Sequence, residues 1–289
     1  MNPESSISFV FFGTDEFSVT VLEELEKEYF LPALIVAPPD KPKGRGLALT
    51  PPPIKIWAAR HSIEILQPLK LDSNFLSSLT LYPKPFTLFV VASYGKIIPQ
   101  AVLDIPEKGT LNAHPSLLPK YRGPSPVESQ ILDDEKEVGV SIMLLDKEMD
   151  HGPILAQEKI AAVSALPMPS PVLSRTLAQI GGRILAKTIP LYLSGELVPI
   201  PQNHDLATIC KKITKEDGLI DLADNQRKNY LKFLAFQNWP TVYFFAERKG
   251  KKIRVIIKDA YFENNKFKIK NVLPEGGRLM PYEDFLRGN

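Results

Sequence analysis

The chain has 289 residues, 44% of them hydrophobic and 24% charged, with a formal net charge of +2; that length suits two domains with separate cores, and the balance is that of a soluble globular protein. No stretch approaches the ~18 to 20 apolar residues of a membrane span, and Met1 to Ser8 do not form a basic lead into an apolar run. The single cysteine, Cys210, excludes an internal disulfide and fits a reducing cytoplasm, and no Cys/His cluster has zinc-ligand spacing, so neither metal nor membrane is expected.

Ile7 to Phe12 is a short apolar run closed by Gly13, and Phe17, Val21 and Leu25 follow at helical spacing, which predicts strand, turn, helix. Ala33 to Ala37 predicts a second strand. Pro38 to Pro53, with six prolines, three basic residues and two glycines, reads as a long inserted loop with no regular element. Helices are predicted around Ile54 to His61 and Asp72 to Leu81, alternating with strands at Ile63 to Leu66, Phe86 to Ala92 and Thr110 to His114. Val138 to Leu145 and Ile154 to Ile160 complete the sheet, and Val172 to Leu193 reads as a closing helix behind the stiff Pro167 to Pro171. This alternation predicts an α/β fold with a doubly wound, mostly parallel sheet, whose ligands bind at the carboxyl ends of the strands.

Gly195 to His204 reads as a linker. Beyond it come a helix at Asn229 to Gln237, strand-like runs at Thr241 to Ala246, Ile253 to Asp259 and Lys266 to Val272, and a brief helix near Tyr282 to Leu286. Short strands with polar turns predict a small OB-like β-barrel. The domains are therefore read as 1–193, a linker at 194–205, and 206–289. Charge is divided between them: residues 1–202 carry 18 Lys and Arg against 22 Asp and Glu, whereas 203–289 carry 17 against 11. An appended basic module suits a polyanion, whose phosphates it neutralises.

A doubly wound start raises the question of nucleotides. The first turn, Gly13-Thr14-Asp15-Glu16-Phe17, has one glycine and two acids where a pyrophosphate loop needs several glycines, and no Walker loop is present, so neither NAD nor ATP is expected. A different constellation carries chemistry. In a strand, Asn112 and His114 point to the same face and can converge on one reacting oxygen. Asp150 follows 36 residues after His114, a separation that suits the end of a neighbouring strand, where a carboxylate can orient the imidazole or a water. The three together predict proton transfer with oxyanion stabilisation. Ser116 lacks a Gly-x-Ser-x-Gly elbow and reads as a loop hydrogen-bonder. His61 and His204 read as surface groups, and His151 is as well suited to solvent or gating as to catalysis.

The run Asn112-x-His114-x-Ser116-Leu117-Leu118-Pro119-x-Tyr121-Arg122-Gly123, with Met149-Asp150-His151-Gly152 behind it, resembles the signature of the formyltransferases that use 10-formyltetrahydrofolate, most closely their methionyl-tRNA branch. Gly13-Thr14 with Phe17, Pro39-Asp40-Lys41-Pro42, Tyr94-Gly95-Lys96-Ile97-Ile98-Pro99, Lys211 to Gly218 and Asn238-Trp239-Pro240 extend the likeness over nearly the whole chain. The resemblance implies a catalytic trio of Asn112, His114 and Asp150, with 10-formyltetrahydrofolate as formyl donor and no metal. It implies a folate site at Val91, Tyr94, Gly95, Ile97, Ser116, Leu117, Leu118, Pro119, Leu145 and Met149. It implies an initiator methionyl-tRNA acceptor held by Lys41, Lys43, Arg45, Lys211 and Lys212, with Arg122 either an RNA anchor or a structural brace, in a monomeric enzyme. A sugar-amine formyltransferase would share the trio without needing the basic C-terminal part, and a formyltetrahydrofolate hydrolase would use water as acceptor.

Overall fold

A run of five buried residues, Phe9–Gly13, forms β1 at the centre of a sheet, and Asp15 turns the chain into α1 (Glu16–Lys27) by accepting hydrogen bonds from the amides of Phe17 and Ser18. That carboxylate occupies the helix N-terminus where a nucleotide phosphate would otherwise bind. The computed structural model describes residues 7–43, 47–82, 85–160, 167–248 and 250–288. β2 (Leu34–Val36) follows, and the proline-rich stretch, expected to lack regular structure, contains an antiparallel ribbon of β3 (Lys41–Lys43) and β4 (Ala48–Thr50). Proline is tolerated there because a two-stranded ribbon consists only of edges. Next come α2 (Pro53–Arg60), β5 (Ile65–Leu66), α3 (Ser73–Thr80), β6 (Leu88–Ala92), α4 (Gln100–Leu103), β7 (Thr110–His114), α5 (Pro126–Leu132), β8 (Gly139–Leu144), β9 (Ile154–Lys159) and α6 (Ser170–Ser194).

The strands form one seven-stranded sheet in the order β5-β2-β1-β6-β7-β8-β9, parallel from β5 to β7 and antiparallel from β7 onward. The expected doubly wound, mostly parallel sheet is present. On one face Val10, Phe12, Phe89 and Val91 pack with Phe75 and Leu79 of α3. On the other, Gly182 lets α6 approach α1: a Cβ there would lie 2.5 Å from Cβ of Glu24 and 2.9 Å from the Val21 carbonyl. Ala113 faces Gly181 of α6, so alternation turns Asn112 and His114 to the α3 face.

The chain falls into two compact units: Met1–Pro124, Val138–Ile160 and Ser174–Ile209 in one, and Ser125–Glu137, Ala161–Leu173 and Cys210–Asn289 in the other. The second unit adds α7 (Gln226–Ala235), β10 (Tyr243–Arg248), β11 (Lys251–Glu263), β12 (Lys266–Pro274), β13 (Met280–Pro281) and α8 (Tyr282–Arg287). α7 begins three residues before the expected Asn229 because Asn225 caps it, accepting from the Lys228 amide. The sequence reading expects a small barrel; the described strands form an antiparallel sheet ordered β10-β11-β12-β13, in which two-residue β13 is too short to close against β10. α7 packs on β11 and β12 through buried Leu231, Phe233 and Leu234, and Arg227 anchors it to Asp134 at 2.8 Å. Among the described residues no helix is long and apolar enough to cross a membrane.

Candidate active site

β7 ends at His114, whose side chain is buried beside that of Asn112 on the same sheet face. Nε2 of His114 lies 2.9 Å from the Tyr121 carbonyl oxygen. A carbonyl only accepts, so Nε2 carries a hydrogen and donates it. Nδ1 lies 3.6 Å from Oδ1 of Asp150, with side-chain exposures of 5% and 13%. That separation is too long for a hydrogen bond, so the carboxylate faces the Nδ1 edge of the ring without bonding to it. The other carboxylate oxygen, Oδ2, accepts the Gly123 amide hydrogen at 2.7 Å, and Asp150 itself sits at φ +51°. The Asn112 side-chain amide makes no hydrogen bond among the described residues, so its N–H groups are available to a ligand. Because Nε2 is committed to Tyr121, the Nδ1 edge of His114 is the one left to face the reacting centre beside Asn112.

The turn after β7 is held from two sides. Ser141 of β8 receives the Leu118 amide hydrogen at 3.0 Å and donates to the Ser116 carbonyl at 2.6 Å, while Gln157 of β9 donates to the Leu118 carbonyl at 2.9 Å. Ser116 Oγ donates to the Lys120 carbonyl at 2.7 Å, the loop role expected for it. Ser116 and Leu118 are buried and their backbone groups are consumed in this bracing, with Leu117 and Pro119 half-buried beside them.

Val91 and Tyr94 belong to the α3-face core, and Leu145 packs against it. Tyr94 stacks edge-on against Phe12 at 5.4 Å, its carbonyl accepts from Thr14 Oγ1 at 2.8 Å, and burial pushes its hydroxyl up to about 12. Gly95 has φ +73° with open space where a Cβ would stand, Ile97 is 92% exposed and Met149 60% exposed. The structure thus brings Val91, Tyr94 and Leu145 into one core and leaves Gly95, Ile97 and Met149 open to solvent.

Arg122 is buried rather than offered to an RNA: its Nε and Nη2 donate to Oε1 of Gln202 at 3.2 and 2.7 Å, and Nη2 lies 2.8 Å from Nδ1 of His204. Those contacts suit a structural brace. Lys41, Lys211 and Lys212 are exposed; the side chain of Lys43 and all of Arg45 lie outside the described residues. His61 stacks on Trp57 and contacts Glu26 at 3.0 Å, and exposed His204 stacks on His151, whose Nδ1 is 2.7 Å from Asp146.

Two groups of residues escape the sequence reading. Gln202 and Thr208 stand in and just beyond the stretch read as a linker, yet both bind the catalytic turn; the only signal was a buried-type amide among prolines. In the second unit, one face of the sheet interleaves cations with rings. Arg254 lies 3.9 Å from the Tyr243 ring centre, Lys252 4.6 Å from Phe245 and Lys270 5.0 Å from Tyr261, with Phe245 44% and Tyr261 37% exposed. The alternation in β10 and β11 carried that signal.

Residues 6–180 match the family model described as formyl transferase. The methionyl-tRNA formyltransferase of Halalkalibacterium halodurans is 36% identical, over 98% of this chain and 95% of its own length. That of Chloroflexus aurantiacus is 43% identical, over 86% and 78%. Among solved structures, an N-formyltransferase from Helicobacter canadensis in complex with folinic acid and dTDP-3-aminofucose aligns over 89% of both chains with a TM-score of 0.61 at 19% identity, which shows a shared fold. Carrying the formyl transferase domain and aligning along nearly its whole length with these relatives, the chain belongs to the methionyl-tRNA formyltransferase family.

Proposed function

We propose that the chain transfers the formyl group of 10-formyltetrahydrofolate to the α-amine of methionyl initiator tRNA. The observation that carries the reading is the approach of Asp150 to buried His114 at 3.6 Å beside an unengaged Asn112 amide, in a chain of this family. The amine lone pair attacks the formyl carbon, and the carbonyl π electrons move to oxygen. Asn112 donates an amide N–H to that oxyanion; His114 donates from Nδ1 when it carries a proton there. Asp150 takes the proton that the attacking nitrogen must lose, directly or through a water. Collapse of the tetrahedral centre breaks the bond from carbon to N10, and N10 takes up a proton. No covalent enzyme intermediate is needed, and no metal enters a step.

The folate is proposed to lie with its pterin against Val91, Leu145 and the backbone of Tyr94 and Gly95, flanked by Ile97 and Met149, while Ser116 to Pro119 hold the floor. An exposed backbone at Gly95 suits a pterin edge with its fixed pattern of donors and acceptors. The RNA is proposed to meet Lys41, Lys43 and Arg45 near its acceptor end, and Lys211, Lys212 and the cation-and-ring sheet face elsewhere. Cations over exposed rings suit phosphates and unstacked bases. Residues 1–193 are assigned to catalysis and 206–289 to RNA binding, in a cytoplasmic monomer.

The test is incubation of the purified chain with formyl-labelled 10-formyltetrahydrofolate and charged initiator tRNA. Label in N-formylmethionyl-tRNA supports the reading; label on a nucleotide-linked amino sugar instead of the tRNA, or release as formate alone, refutes it.

A further inference from the structure

We infer that Gln202, in the segment after α6, is the positioning residue of the Asp150 carboxylate, acting together with Arg122; the inference rests on the assignment of Asp150 as the proton acceptor. Gln202 is 6% exposed, and its amide is fully committed. Nε2 donates to the Asp150 carbonyl at 2.9 Å and the Gly152 carbonyl at 2.7 Å, while Oε1 accepts both hydrogens from Arg122. Only one amide orientation satisfies this set, because a guanidinium has donors alone and backbone carbonyls are acceptors alone.

The chain around Arg122 gives the contact its meaning. Tyr121 before it supplies the carbonyl that receives His114 Nε2–H, and Gly123 after it supplies the amide that holds Asp150 Oδ2. Gln202 therefore ties the backbone of Asp150 to the same three residues that fix His114 and the carboxylate. Thr208 secures that tripeptide from the same segment: its Oγ1 accepts the Tyr121 amide hydrogen at 2.8 Å and its carbonyl accepts the Arg122 amide hydrogen at 2.9 Å. Asp150 stands at φ +51°, a left-handed backbone that costs most side chains energy and that Asp and Asn adopt more readily than most. One amide clamping the Asp150 and Gly152 carbonyls braces it there.

The test uses the full chain with Q202L, which keeps the shape and removes both donors and the acceptor. Turnover is expected to fall about a hundredfold, as for a displacement on the order of 1 Å at a reacting group, with KM for tRNA and for the folate unchanged. A second readout needs no substrate. The chain has four histidines, so ring nitrogen NMR resolves each: at one fixed pH the His114 ring signals should move in Q202L, while those of His61, stacked on Trp57 on α2, should not. Q202E keeps an acceptor for Arg122 but faces two carbonyls without a donor, and should show the same His114 movement. If Q202L fails to fold, Q202E and R122K carry both readouts. His114 ring signals unmoved in the folded variants, or turnover within about threefold of wild type, overturns the inference. An inactive wild type whose His114 still responds to Q202L would refute the formyl-transfer reading and leave the clamp standing.

Discussion

Asp150→Asn separates charge from shape at the reacting centre. An asparagine oxygen can still accept the Gly123 amide hydrogen, which the carboxylate receives at 2.7 Å, and its NH2 can donate to the Nδ1 lone pair of His114, so the loop should stay in place. What is lost is the negative charge 3.6 Å from Nδ1. Against a His114 that also carries a proton on Nδ1, as it must when it donates to the oxyanion, that charge is worth about 4 kcal/mol at an effective dielectric of ~20, or roughly a thousandfold in rate if felt only in the transition state. The loss of a general base falls in the same range, about 10² to 10⁴. Asp150→Ala should lose similar turnover and also stability, about 1 to 3 kcal/mol, because the Gly123 N–H is left without an acceptor. Steady-state kinetics with both substrates, paired with urea unfolding of each variant, tests this. An asparagine variant that folds normally and keeps more than about a tenth of wild-type kcat would refute the charge argument.

Gly182→Ala should destabilise the chain by about 1 to 3 kcal/mol through overpacking, since its Cβ would meet the Val21 carbonyl at 2.9 Å; a lowered urea midpoint checks this. At Asp134 burial pushes the carboxyl up, but hydrogen bonds from Arg227 and Lys136 outweigh it and hold it below the usual carboxylate range. A depressed pKa contributes stability above the unfolded value and loses it as pH falls through the folded one. The stability gap between wild type and Asp134→Asn should therefore be present at neutral pH and close as the medium is acidified below about 4, read from urea midpoints over a pH series. Lys252→Ala with Lys270→Ala should weaken tRNA binding and flatten its dependence on log salt by about one for each lost phosphate contact, with folate affinity unchanged in a parallel titration.

Much of the first unit was legible because burial there is two-sided. Runs such as Phe9 to Gly13 and Leu88 to Ala92 are apolar throughout, and only a central strand accommodates that. The alternation rule also put Asn112 and His114 on one face. Three things were not legible. α5 escaped notice although Ser125-Pro126 with Val127, Gln130 and Ile131 at helical spacing is a start signal followed by an apolar stripe. The partner of His114 Nε2 is a backbone carbonyl seven residues on, and a carbonyl leaves no mark in a sequence. Gly195 to His204 reads as a linker, with Thr208 just beyond it, because the bonds to the turn after β7 run through a glutamine, a threonine and main-chain groups, with little apolar content to give them away.

The two-unit division has a further consequence, which concerns how the molecule is made and cut. The chain passes from one unit to the other near residues 124, 137, 160, 173 and 209, so neither unit is a contiguous stretch. During synthesis the sheet bearing Asn112 and His114 can gain its last pinning contacts once Thr208 and Ile209 have left the ribosome, while the second unit must hold two of its segments open until residues beyond Cys210 arrive. A single protease nick near residue 124 would free no domain, because β8 on one fragment remains hydrogen-bonded to β7 on the other. The nicked protein should elute as one species on gel filtration and separate into two only under denaturing conditions.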